Sequence, residues 1–283
     1  MPVQTPLLAV IPAFLLAAAV LAAGWRPWSK VEDRRWDWCG ALAVALAFLC
    51  ADYFVWKSWP GLWAAEEHRR LPWVAWAAVI IAVVDRALLG RIRRTPLSWL
   101  AGAALALPIV WVDVSRPGTY PISLIWWAMW SGAIAIIWSE SAATAHRAKG
   151  VRVPLVLCIA AAGAAITIIQ SYTVSIGLTA AGLSAAMGAF VALAIWRPQL
   201  PAAAMATPVY AALLVGLLVS SRQTGLYSTI LVLLSAGTAG LGDRGPLRSL
   251  KPWLATLICA LLTLALAIAA IKLSPKGFDF SES

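Results

Sequence analysis

The sequence predicts an all-α, polytopic helical membrane protein with about 10 transmembrane helices, arranged as two five-helix halves of opposite orientation. Three observations lead there. The chain is 62% hydrophobic and 12% charged, with a mean hydropathy of +0.83; a soluble domain carries about 25% charge to wet its surface. Its apolar residues come in blocks of about 17 to 21, enough at 1.5 Å per residue to cross roughly 30 Å of hydrocarbon. The sizeable polar interruption near the middle, Glu140 to Arg152 (ESAATAHRAKGVR), has five such blocks on either side. An odd number per half inverts the second half relative to the first. The expected organisation is a membrane half over 1–139, a cytoplasmic polar loop over 140–152, and a second half over 153–283.

The first span, Pro6 to Gly24, has the Ala-rich end of a signal peptide without its basic leader. MPVQTP contains no Lys or Arg, and Arg26, Lys30, Arg34 and Arg35 follow the span instead. That order predicts an uncleaved anchor with its N-terminus outside, and Pro12 is expected to kink it. Spans two to five read Trp38 to Trp56, Leu71 to Gly90, Leu97 to Val114 and Tyr120 to Ser139. Spans six to ten read Val153 to Gln170, Ile176 to Trp196, Pro201 to Ser221, Leu226 to Gly242 and Trp253 to Ile271. Only the polar run from Gln170 to Ser175 separates spans six and seven. The connection Ser58 to Arg70 (SWPGLWAAEEHRR) is expected to form a short helix in the outer interface.

Charge sets the orientation. Of the 22 Lys and Arg, 15 fall in connections after odd-numbered spans and 7 on the other side, which puts both termini outside and the central loop in the cytoplasm of a plasma or inner membrane. The net charge of +10 therefore reads as a surface for anionic lipid headgroups, not for nucleic acid. Tryptophans such as Trp25, Trp38, Trp56, Trp196 and Trp253 stand at span ends, where an indole prefers the headgroup region. The four cysteines lie inside apolar segments and read as packing residues.

Chemistry is scarce. Asp52, Asp85, Asp113 and Glu140 all lie within about a turn of a span end, where loop arginines and water can meet them. The two histidines, His68 and His146, are in connections, and no catalytic set, metal site or cofactor motif is present. Glu66-Glu67-His68-Arg69-Arg70 departs from the paired-glutamate motif of intramembrane CAAX-type proteases, placing Leu71 where the arginine belongs. The glycine run GTAGLGDRG has neither a strand before it nor a Lys-Ser/Thr after it, so it reads as a helix stop. At mid-depth the polar and aromatic residues are neutral: Trp126, Trp127, Trp130 and Ser131 on span five, Thr207, Pro208 and Tyr210 on span eight. Trp126 and Trp130 share a helix face, and Pro208 frees a carbonyl near a hydroxyl and a phenol. Trp126, Trp130, Ser131, Thr207 and Tyr210 are the candidate contacts for a small neutral or amphipathic solute. On span seven, Gly177, Ala181, Ala185 and Ala189 form a small-residue stripe suited to close helix packing.

Five plus five spans in under 300 residues is similar to the drug/metabolite transporters in number and length alone; no motif aligns between the halves, and the charge count puts the termini on the opposite side. The expected function is a carrier or permease-like protein. The alternatives are a non-catalytic subunit that binds another membrane protein or a second copy through span seven, and a lipid-modifying enzyme using Asp85, Glu140 or His146.

Overall fold

The structure is a computed structural model. It describes residues 4–25, 37–58, 67–88, 92, 96–114, 120–147, 150–171, 173–196, 202–221, 223–243, 247 and 249–275. Among these the regular structure is helical, with ten α-helices in the chain order expected: α1 Gln4–Trp25, α2 Cys39–Trp56, α3 Leu71–Ala87, α4 Leu97–Val114, α5 Tyr120–Arg147, α6 Arg152–Gln170, α7 Val174–Trp196, α8 Ala202–Ser220, α9 Leu226–Gly237 and α10 Pro252–Leu273. Five are long and apolar enough to cross a membrane: α2, α6, α7, α8 (from Ala203) and α10.

Two boundaries differ from expectation. Residues 140–147 are helix, since α5 runs without a break to Arg147 and only 148–151 separate it from α6. The cause is composition: Ala142, Ala143 and Ala145 are strong helix formers that the flanking polar residues do not outweigh. Span nine ends as α-helix at Gly237 and continues as a 3-10 segment, Thr238–Asp243, through its glycines. The narrow separation of α6 and α7 is a true turn, in which Ser171 Oγ and Thr173 Oγ1 both donate to the Ile168 carbonyl at 2.9 and 3.1 Å. The expected interfacial helix over Ser58–Arg70 lies mostly outside the described residues; Glu67–Arg70 forms one 3-10 turn.

At the centre stands α8. It packs against α2, α3 and α5 most extensively and also touches α4, α6 and α7. Of Ala203–Ser220, 94% is buried, against 28% of the most apolar 18-residue window of α10. A helix apolar all round belongs in a core, as α8 does. By contrast, α10 turns Leu257, Leu261, Leu264 and Ile268 outward. A stripe of that extent is an association site in water and an ordinary lipid-facing surface in a bilayer.

Small residues let the helices close on one another. A Cβ on Gly163 of α6 would lie 2.6 Å from the Ala267 Cβ of α10, and one on Gly182 of α7 would collide with Ala51 of α2. Several helix ends meet. Gly225 before α9 lies beside Pro275 after α10, and Ser274 Oγ donates to the Thr167 carbonyl near the end of α6 at 3.3 Å. Arg86 of α3 pairs with Asp37 before α2 at 3.4 Å. Arg152 at the start of α6 lies over Gly242 and reaches Thr256 of α10 at 3.5 Å.

Candidate functional site

The site begins with the tight packing of α4 on α5. A Cβ on Gly102 would stand 2.6 Å from the Ser131 carbonyl oxygen, so the two backbones nearly touch there. One turn away the Trp99 ring lies across Gly132, where a Cβ would be 2.8 Å from Cζ3. Trp127 of α5 ties the pair together by donating Nε1–H to the Ala103 carbonyl at 3.1 Å. On the far side, α9 presents Leu226, Thr229, Ile230 and Leu233, an i, i+3, i+4, i+7 face. Between this face and α5 is a cavity of about 390 Å³, whose α5 wall includes Met129, Trp130 and Ile136 and whose edge is Trp99. It opens on the flank of the bundle, for Trp99, Met129, Ile136, Leu226 and Ile230 are all exposed.

Among the described residues no charged group lines it. Its hydroxyl, Thr229 Oγ1, is already engaged, with Gly225 O at 3.0 Å and Thr224 Oγ1 at 3.1 Å. Its described lining therefore offers dispersion, burial of apolar area and an indole face. Its volume is at the small end of ligand sites, roughly 300 to 1,000 Å³.

The expected solute contacts divide. Trp130 is 8% exposed and lines the cavity; Trp126, 37% exposed, stacks on it at 6.0 Å and 18° but does not line it. Ser131 is buried and donates back to the Trp127 carbonyl at 2.6 Å. Thr207 and Tyr210 sit elsewhere, both fully buried within α8. Pro208 has no N–H for the Ala204 carbonyl four residues earlier, and Thr207 Oγ1 supplies the missing bond at 2.7 Å. Tyr210 Oη donates to the Leu157 carbonyl of α6 at 2.7 Å. Both hydroxyls thus satisfy backbone carbonyls in the core. The residues that sequence reasoning missed are Trp99 and the α9 face; their meeting with Trp130 depends on helix placement that no periodicity reports.

The stripe on α7 is turned largely inward. Gly177 meets Ile169 and the Ala165 carbonyl of α6, Ala189 is buried, and Ala181 and Ala185 are partly buried against the core. Among the ionisable candidates, Asp52 and Asp85 are buried, and Glu140 Oε2 lies 3.1 Å from where a Cβ of Gly240 would be. His146 is exposed. Asp113 is in the last turn of α4, with its side chain outside the description, as is Glu66 entirely. Among the described residues no three His, Cys, Asp or Glu gather as a metal site. No protein-family model matches this chain, and no curated protein matches it.

Proposed function

We propose that this chain is a carrier or permease-like protein of a plasma or inner membrane, with a small neutral or amphipathic solute received between α5 and α9. In this reading all ten helices cross the bilayer as two inverted halves, both termini lie outside, and the connection at 148–151 faces the cytoplasm. The distribution of Lys and Arg among the connections supports that orientation. The observation that carries the solute reading is the apolar cavity walled by Trp130: it has ligand-site size, an aromatic face and an opening on the flank of the bundle. The subunit alternative is weaker because its proposed docking stripe on α7 is turned largely inward. Enzyme chemistry through Asp85, Glu140 or His146 has less support, since none of them lines the cavity.

The test is equilibrium binding of a panel of amphipathic cations and neutral solutes to the purified protein in nanodiscs. Ala133 also lines the cavity and is partly buried, so Ala133→Phe puts a ring into the space. Whatever the wild type binds is expected to bind at least about tenfold more weakly to this variant, a loss of about 1.4 kcal/mol. Equal affinity in Ala133→Phe and Trp130→Leu would move the solute away from the cavity. No binding by the wild type across the panel would favour the membrane subunit instead.

A further inference from the structure

Asp52 lies one turn before the end of α2, 3% exposed, and among the described residues neither a hydrogen bond nor an ion pair reaches its carboxylate. Helix α2 packs against α1, α3, α7 and α8. Three of these, α1, α7 and α8, contain no charged residue, and α3 carries only Asp85 and Arg86, at its opposite end beside Asp37. The charge acting on Asp52 is Arg69.

Arg69 is seated elsewhere. Its Nη2 donates to Ser58 Oγ at 2.8 Å, and its guanidinium is 5.8 Å from the centroid of the Trp56 ring. Trp56 is one helical turn beyond Asp52, about 6 Å along the axis. The same indole stacks on His68 at 4.3 Å and 24°. Around them, Lys57 lies over the Phe54 ring at 4.9 Å and Arg70 donates to the Pro108 carbonyl at 3.4 Å, so each is occupied. Other titratable residues on these elements include the exposed Tyr53 and partly buried Cys50 of α2, the buried Tyr210 of α8, which donates to the Leu157 carbonyl, and Glu67 of the 3-10 turn.

A buried ionised carboxylate without a donor is costly, and either a proton or a guanidinium relieves it. We propose that Asp52 is a proton-binding site that moves Arg69 between two seats. With Asp52 protonated, Arg69 rests on Ser58 and Trp56, as observed. When Asp52 releases its proton to water at this end of the bundle, the guanidinium shifts about one turn along α2 to pair with it. Trp56 then loses its cation and the Trp56–His68 stack rearranges. Arg69 belongs to the 3-10 turn leading into α3, which packs on α8, so the exchange is relayed to the central helix. This switch does not depend on the solute reading.

The chain has two histidines, so His146→Gln leaves His68 as the sole reporter. The full chain with ring-13C-labelled histidine, in nanodiscs, is titrated by NMR. The His68 signal is expected to show two steps with pH, its own and the Arg69 exchange. Asp52→Asn and Arg69→Gln each lose the second step, and Asp52→Glu keeps it. A parent and an Asp52→Asn profile that superimpose would overturn the proposal. So would a second step that survives Arg69→Gln, which decides the matter alone if Asp52→Asn does not fold.

Discussion

Tyr210 offers the sharpest separation of a structural role from a solute role. Its side chain is fully buried in α8, and its hydroxyl donates to the Leu157 carbonyl of α6 at 2.7 Å. Tyr210→Phe removes that hydroxyl and leaves the ring, so no large void opens. A net hydrogen bond contributes about 0.5 to 1.5 kcal/mol in proteins and averages about 0.6 inside a membrane bundle. The Leu157 carbonyl is in the interior of α6, where a helix carbonyl also accepts from four residues on, so it is not stranded. The expected loss is therefore about 0.5 to 1 kcal/mol of unfolding free energy. Tyr210→Leu adds a cavity and is expected to cost about 3 kcal/mol or more. Both are measured by equilibrium unfolding in mixed micelles, alongside solute binding. If Tyr210→Phe leaves stability unchanged but weakens binding severalfold, the assignment of this phenol to helix packing is wrong.

Other outcomes follow from the same contacts. Gly182→Ala pushes a methyl into Ala51 and is expected to cost about 1 to 3 kcal/mol; Gly188→Ala, whose new methyl meets Phe14 at 3.8 Å, is expected to be neutral or stabilising by up to about 1 kcal/mol in the same unfolding assay. Replacing Trp126 and Trp130 together by Leu keeps α5 apolar, so insertion survives; loss of a desolvated cation contact weakens binding of a cationic solute about 5- to 30-fold, and unchanged affinity would remove the pair from the site. A reporter fused after Ser283 is expected to be active outside the cytoplasm and one at Ala148 inside, with the reversed pair of results refuting the orientation.

The helices were legible because their apolar blocks are long and uninterrupted, and apart from the C-terminal ends of α5 and α9 each block became a helix within a few residues of its expected ends. Glu140 to Arg147 misled because polarity was read as a break, whereas alanine content kept the helix going. Thr207 and Tyr210 looked available because a sequence shows a hydroxyl but not its acceptor; Thr207 repairs the gap at Pro208, and Tyr210 finds a carbonyl 53 residues away in the chain. Trp130 was visible as a large aromatic at mid-depth. Trp99 and Thr229 were not, because what makes them walls is the position of α4 and α9 beside α5.

The place of α8 bears on how the chain is made. Synthesis runs from the N-terminus, so α2, α3 and α5 are made well before the helix that all three pack against. In hydrocarbon there is no hydrophobic push to bring them together early, and side-to-side packing must wait for its partner. Until residues 202–220 are made, side chains of the earlier helices, such as Leu71 of α3 and Ile109 of α4 that meet Gly216, lack the surface they pack on. Their final arrangement is thus a late event, set by α8, and a nascent chain halted before Ala202 lacks its central packing partner.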